Sequence, residues 1–429
     1  MNNQENISKN ESISKTFSET MQRRQNQICK VVSCKVKKHL LNNLQQEQMK
    51  MMFIEAKWIY NWLLSEHKKS EDFDVFKLTQ KDVKDIYHLD KDRNVVNVHI
   101  NYIKSSMVDS VIHGMCSSIK TLSTLKKKGH KVGKLNFISE YTSINLKQNG
   151  VTHKIISKNR IKIQGIKKPL PVSGLDQIIG SVPYEIANAK LIGRNGDYYV
   201  NLTIFYDAVE YEKYRRKKYD KPYINKQIGI DFGCETSFTL SNGEKLNSYV
   251  EETDHLKRLQ RKLSRQKKGS NNRWKTILKI RKEYQRLTNL KDDYANKLVY
   301  RFLTENEQII IQDEQLNAWK RRHGKKIQHS VLGRVKARLI QHKGQVFVLN
   351  RFVPTTKLCR DCGHIHSSIK VWDREFVCPS CGVVYDRDVH ASENMVWIYN
   401  NLVGVDGTEF KRADFEEQLD YMFNGQIKG

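Results

Sequence analysis

Two sets of side chains in this sequence have the types and spacing to do metal chemistry. The first is Cys359-Arg-Asp-Cys362 with Cys378-Pro-Ser-Cys381, a C-x2-C-x15-C-x2-C pattern. Thiolates two residues apart grip one side of a tetrahedral ion and a second pair closes the other, so the spacing predicts Zn²⁺ with every position filled by protein, a structural site. Gly363 and Gly382 each follow a second cysteine, where a tight turn must open. The second set is acidic. Asp231 ends the hydrophobic run Gln227-Ile-Gly-Ile-Asp, Glu314 follows Ile309-Ile310-Ile311, and Asp388 opens a helical stretch just beyond the cysteines. Mg²⁺ prefers hard oxygen ligands and keeps several waters, so three carboxylates suffice and no histidine is required. Two such ions roughly 3.5–4 Å apart would activate a water and stabilise the leaving oxygen of an in-line phosphodiester cleavage. Asp313 competes with Glu314 and Asp386 with Asp388; spacing alone separates neither pair.

The chain that must position these groups has 429 residues, with 75 Lys and Arg against 47 Asp and Glu, a net charge of +28. Such a charge opposes compaction through self-repulsion, and a polyanionic partner relieves it. The basic residues run along the whole chain, which suits a long channel better than a single patch. No run of about 18 apolar residues exists to cross a membrane, and the N-terminus lacks an apolar signal region. Four cysteines remain outside the zinc pattern, Cys29, Cys34, Cys116 and Cys234, as expected of reduced thiols in a cytosolic protein.

Residues 1–27 are mostly Asn, Ser, Gln and Glu and are expected to be disordered. Ile28–Lys37 reads as a strand. Apolar residues from Met49 to Leu64 recur at helical spacing within 46–68, and 101–125 is a second helical candidate ending in the basic loop 126–133. Residues 134–220 turn to short alternating segments, with Arg194-Asn195-Gly196-Asp197 as a hairpin signal. After Pro222 come a buried strand reaching Asp231, antiparallel neighbours at 238–240 and 245–250, and a basic helical pair over 251–303 broken at Gly269-Ser270. Then follow a strand at 308–312, a helix at 329–341, a strand at 345–349, the cysteine module and a helix at 389–401. That order is the order of an RNase H-like core, in which carboxylates from strand ends and one helix converge on divalent metals.

Between Lys257 and Lys291 lie fourteen Lys or Arg residues, with no acid between Lys257 and Glu283 to pair with them along the helix. Lys257, Arg258, Arg261, Lys262, Arg265, Lys267, Lys268 and Arg273 are the candidate phosphate contacts, which position a nucleic acid without reading its bases. Trp274, Trp319 and Trp372 could stack on bases, although an indole more often fills a core. His364 and His366 read as neighbours of the zinc site, since four thiolates complete it.

With these residues in place, the sequence resembles the TnpB family of transposon-encoded RNA-guided DNA endonucleases and the compact type V CRISPR effectors. The resemblance rests on Gly229-Ile-Asp-Phe-Gly233, the basic run Leu256–Ser270, Glu314-Gln-Leu-Asn317, and Phe352–Cys359 through Asp386-Arg-Asp-Val-His-Ala-Ser-Glu-Asn394. It is looser upstream, at Trp58-Ile-Tyr-Asn61 and Lys127–Gly133. The resemblance favours Glu314 over Asp313 and Asp388 over Asp386. His390 stands where asparagine is usual and Ser392 where alanine is usual, departures expected to alter helix packing.

What the resemblance implies is an α/β multidomain protein. A β-barrel wedge domain (28–45 and 134–222) would carry a helical recognition insert (46–133). An RNase H-like (RuvC) nuclease domain (223–350 and 382–429) would follow, with an inserted zinc ribbon (351–381). The implied cofactors are structural Zn²⁺ and catalytic Mg²⁺, two ions held by Asp231, Glu314 and Asp388. The implied partners are a guide RNA and target DNA, as heteroduplex and single strand, with base pairing supplying specificity and the protein reading a short adjacent motif. A prokaryotic nucleoid location follows, and monomer and homodimer both remain open. A guided repressor with a decayed nuclease is the alternative.

Overall fold

Strand β1 (Gln27–Val36) buries Val32, Cys34 and Val36 on one face and leaves the alternate residues outside, the period-two pattern of a half-buried strand. The chain is described by a computed structural model over residues 2–70, 72–90, 94–218, 222–370, 373–405 and 410–425. It divides into two units, Met1–Lys218 and Tyr219–Gly429.

In the first unit, helix α1 (Asn2–Gln25) precedes β1, and α2 (Asn43–Lys69) follows it. Next come β2 (Asp85–Leu89), β3 (Val95–His99) and α3 (Ser105–Lys127). Strands β4 (Ser143–Leu146), β5 (His153–Ser157), β6 (Arg160–Ile163), β7 (Leu170–Ser173), β8 (Tyr184–Arg194) and β9 (Asp197–Asp207) lead to α4 (Ala208–Lys218). The antiparallel sheet has the order β4-β8-β9-β1-β7-β6-β5. Its β8–β9 turn places Asn195 (φ 54°) and Gly196 (φ 82°) in the left-handed region that a two-residue hairpin demands. Helix α2 opens on a capping box between Asn42 and Gln45. Met49, Met52, Ile59 and Leu63 of α2 share one apolar core with Met107 and Val111 of α3 and with the sheet. Buried Glu55 accepts the backbone N–H groups of Asn101, Tyr102 and Ile103, which anchors the approach to α3.

Two expectations change here. Within 1–27, expected to be disordered, Asn2–Gln25 form helix α1. Its polar composition hides it from any apolar period, and its anchor lies at its end, where Arg24 sits 3.5 Å over the Phe205 ring and bonds Glu185 at 2.8 Å. The stretch 46–133 is not all helical either, because β2 and β3 form a hairpin inside it.

In the second unit, β10 (Asn225–Phe232), β11 (Phe238–Leu240) and β12 (Lys245–Leu246) lead to α5 (Asp254–Ser264) and α6 (Asn271–Glu305). Then come β13 (Asn306–Gln312), α7 (Leu316–His329), α8 (Leu332–Leu339) and β14 (Val346–Leu349). The hairpin β15 (Glu375–Val377) and β16 (Val384–Asp386), α9 (Arg387–Asn401) and α10 (Arg412–Asn424) complete it. The sheet order is β12-β11-β10-β13-β14, antiparallel through β10 and parallel from β10 to β14. Ile228, Ile230 and Phe232 face α6 and α8, whereas Gly229 and Asp231 take the opposite face, toward α9.

The helix expected over 329–341 is α8, which starts only at Leu332; α7 ahead of it was not expected, and the two are separated at Ser330–Val331. Backbone bonds from Val250 to His329 and from Val331 to Ser248 take these residues out of the helix. The same bonds explain why β12 stops at Leu246 instead of running to Val250. No helix among the described residues is long and apolar enough to cross a membrane.

Candidate active site and metal centre

Asp231 stands at the carboxyl end of β10, the position in an open α/β sheet where ligands are usually held. Its neighbour β13 runs parallel, pairing Ile230 with Ile311, and carries Glu314 two residues past its own end. Helix α9 crosses the same face and brings Asp388 in its first turn. The helix can lie this close because residue 229 is glycine: a Cβ there would come within 1.9 Å of the Ser392 carbonyl oxygen. Burial first, then the Asp388 and Glu314 carboxylates, push the Asp231 carboxyl well above the ordinary carboxylate range. Burial raises Glu314 as well, with Lys336 pulling against it. The three carboxylates therefore lie within electrostatic reach, but they do not close to the 4.8 Å within which a set of ligand atoms shares one ion; among the described residues, only the four cysteines do.

The rival acids have other partners. Asp386 is the N-cap of α9, accepting the Val389 N–H at 3.0 Å, and pairs with Lys245 at 2.6 Å. Asp313 lies between Lys336 (2.8 Å) and Arg351 (2.6 Å). Asp388 faces Arg387 at 2.9 Å, with Arg374 at 3.8 Å. Lys336, Arg351, Arg374 and Arg387 were not foreseen as part of this surround. Arg387 alone had a local signal, adjacency to Asp388; the others arrive from α8 and from loops.

In the cysteine module, Sγ of Cys359 and Cys381 are 3.6 Å apart, as are those of Cys362 and Cys378. A tetrahedral Zn²⁺ with bonds of about 2.3 Å requires edges of about 3.8 Å, so the four sulfurs fit that ion. Gly363 and Gly382 adopt φ of 73° and 76° and return their N–H groups to the Cys359 and Cys378 carbonyls at 2.9 Å, as the turn after each pair requires. Neither His364 nor His366 joins the set: the His364 carbonyl accepts the Cys359 N–H, and His366 lies edge-on to Phe376. His390 is fully buried, stacked on Tyr385 and Phe376, with Nε2 at 2.7 Å from the Leu358 carbonyl. The His390 ring is thus wedged between α9 and the module. Ser392 donates to the Val389 carbonyl.

Helices α5 and α6 form a hairpin closed by Leu256, Leu259, Ile280 and Leu287. Lys257, Arg258, Arg261, Lys262, Arg265, Lys267 and Lys268 are exposed on it. Arg273 behaves differently: half-buried, it donates Nη1 to the carbonyls of Leu263 (2.6 Å) and Gln266 (3.2 Å), closing the turn between the helices. Arg273 thus has a structural role at the turn, whether or not it also meets a nucleic acid. Trp274 is exposed with Arg281 over its ring, Trp319 packs against the core, and Trp372 lies outside the described residues. In the first unit, Trp58 stacks on His88 and Asn61 exchanges two hydrogen bonds with the Ile138 backbone, so both residues of this landmark support the local fold.

Two family models match this chain. Residues 208–322 match "Probable transposase" and residues 331–395 match "Cas12f1-like, TNB domain". A Streptomyces pristinaespiralis protein named "Putative RNA-guided DNA endonuclease" is 32% identical over 185 residues, 41% of this chain and 46% of its own. "Putative RNA-guided DNA endonuclease InsQ" of Escherichia coli K12 is 28% identical over 193 residues, 39% of this chain and 48% of its own. The chain thus spans about half the length of these curated relatives. Among solved structures, a Cas12f1–sgRNA–target DNA complex aligns with a TM-score of 0.41 at 13% identity, covering 86% of this chain and 99% of that one.

Proposed function

We propose that this chain, which resembles the TnpB-type and compact type V effectors across its central and C-terminal stretches, is an RNA-guided DNA endonuclease of the RuvC type. The observation that carries the reading is the convergence of Asp231, Glu314 and Asp388 on one face of the sheet, Asp388 keeping its place there although Arg387 pairs with it, while Asp313 pairs with Lys336 and Arg351 and Asp386 caps α9. The sheet order, with its antiparallel trio, parallel continuation and α9 laid across, supports an RNase H-like core with a zinc ribbon inserted before α9. The seven-stranded sheet with its helical insert supports a wedge and recognition lobe.

The donor set fits Mg²⁺: three hard carboxylate donors, with Asp388 and Glu314 both close enough to oppose ionisation of buried Asp231. Asp231, Glu314 and Asp388 would hold it, and its chemistry there is activation of water and neutralisation of charge on the cleaved phosphodiester. The chain supplies the rest. Arg374 and Arg387 hold positive charge beside Asp388, where a backbone phosphate would sit. The exposed basic face of α5 would take a nucleic-acid backbone by charge, leaving sequence to a guide. Guide RNA and target DNA are the partners this surface suits. The decayed-nuclease alternative is disfavoured by the retention of all three acids.

The test is cleavage of a matched target with guide RNA and Mg²⁺. Asp388→Ala is expected to lower the rate by on the order of a hundredfold or more, the scale of removing a group that stabilises transition-state charge. Asp386→Asn, which keeps a capping side chain, should stay within about tenfold of the parent. Undiminished cleavage by Asp388→Ala would refute the assignment.

A further inference from the structure

The cysteine module and the first turns of α9 are joined by contacts that neither site explains by itself. Leu358, the residue before Cys359, presents one carbonyl to both His390 Nε2 (2.7 Å) and Asn394 Nδ2 (2.8 Å), and Asn394 also donates to the Thr355 carbonyl at 2.7 Å. The His390 ring lies 4.4 Å from Phe376 and 4.6 Å from Tyr385, the two rings of the β15–β16 hairpin. A neutral imidazole that donates from Nε2 leaves Nδ1 a bare acceptor, and Nδ1 has no partner among the described residues. Arg360, next to Cys359, pairs with Glu393 at 2.6 Å. The Arg387 backbone N–H bonds the Arg374 carbonyl at 2.9 Å, and its guanidinium bonds the Lys370 carbonyl at 3.1 Å while facing Asp388. Residues 387, 390, 393 and 394 therefore all touch the module, and Asp388 sits among them.

The module has little of its own to hold that grip. Its buried apolar cluster is Cys359, Phe376 and Cys378 with four half-buried neighbours. A core that small takes its folding energy from the ion that closes it. From this we infer that Zn²⁺ occupancy of the four cysteines and divalent-metal affinity at the acid site are coupled. The loaded module fixes the first two turns of α9 and with them the Asp388 carboxylate, and His390 and Asn394 are the positioning residues. The inference rests on the reading of Asp388 as a metal ligand. Coupling between two binding equilibria is reciprocal, so occupancy of the acid site must tighten Zn²⁺ by the same factor.

The experiment uses the full-length protein without nucleic acid and Mn²⁺ as a spectroscopic probe of the acid site, followed by electron paramagnetic resonance. Zinc content is measured in parallel. In the zinc-loaded parent Mn²⁺ binds, and Asp388→Asn weakens it. Zinc-depleted Cys381→Ser should raise the Mn²⁺ Kd by about tenfold, within the range usual for coupled sites. His390→Phe keeps the ring stack and the zinc but loses the donor to Leu358, and should weaken Mn²⁺ severalfold; His390→Gln, which restores an N–H donor, should recover most of it. In the reverse direction, saturating Mn²⁺ should slow transfer of Zn²⁺ to a chromophoric chelator in the parent and not in Asp388→Asn. Equal Mn²⁺ affinity in His390→Phe and parent, both zinc-loaded, overturns the coupling, as does Zn²⁺ transfer indifferent to Mn²⁺. Mn²⁺ binding indifferent to Asp388→Asn removes the acid-site reading itself. If Cys381→Ser does not fold, the His390 variants and the chelator measurement decide alone.

Discussion

At Asp231, burial and two neighbouring carboxylates work against ionisation. A carboxyl whose folded pKa lies above its unfolded one binds more protons when folded, so it subtracts from stability once pH exceeds the unfolded pKa. The penalty is absent in acid, grows as pH rises through the window between the two values, and is constant above it. Asp231→Asn should therefore melt higher than the parent at pH 7.5, with the advantage shrinking toward pH 4. Each kcal/mol gained reads as about 2–4 °C in a unit of this size. Mg²⁺ should raise the melting temperature of the parent and do so less in the variant. Differential scanning fluorimetry against pH and Mg²⁺ checks both, and a lower melting point for Asp231→Asn at pH 7.5 would refute the crowding of these acids. At the same scale, the choice between neighbouring acids was legible in sequence only through family resemblance. The physical ground for it, an N-cap at Asp386 and a two-cation clamp on Asp313, exists only once α9 and α8 are folded.

Among the elements, α9 carries most of the consequence. Its approach to β10 depends on Gly229, since a Cβ would overlap the Ser392 carbonyl at 1.9 Å, a backbone contact that no side-chain rotation relieves. Gly229→Ala is expected to destabilise the second unit by about 1–3 kcal/mol, the usual range for overpacking, and to lower cleavage by more than that loss explains, because Asp388 moves with the helix. Urea denaturation alongside cleavage under conditions where the variant is folded tests this; a stable and fully active variant would show that α9 need not sit so close. The glycine was visible in the sequence as part of a motif. Why it is there was not, because its contact is more than 160 positions away in the chain. The α7–α8 break was equally hidden, since the Ser248–Val250 segment that causes it lies some 80 residues upstream.

For the whole molecule, a charge of +28 predicts nucleic-acid binding that weakens steeply with salt. The exposed cations of α5 and the half-buried Arg273 should separate in such a measurement. Replacing Arg261 or Lys262 with alanine should lower RNA affinity and reduce the slope of log K against log salt by about one per lost phosphate contact. Arg273→Ala, which uncaps the α5–α6 turn, should lower the melting temperature and leave the slope unchanged. Fluorescence anisotropy with a structured RNA across a salt series reads both. A slope change at Arg273 equal to that at Arg261 would return it to the contact surface.

Spacing and residue type were enough to determine the thiolate site, because a C-x2-C pair is a local device whose turn geometry needs only its own few residues. Charge and the hairpin at Asn195-Gly196 were likewise set by near-neighbour chemistry. Which acids remain available, which arginine closes a turn, and how closely the cysteine module grips the helix bearing Asp388 depend on groups brought together from distant parts of the chain. Those assignments belong to tertiary structure, because a side chain's role is decided by the partners it meets, and pairing across a sheet or under a helix leaves no period in the sequence to read.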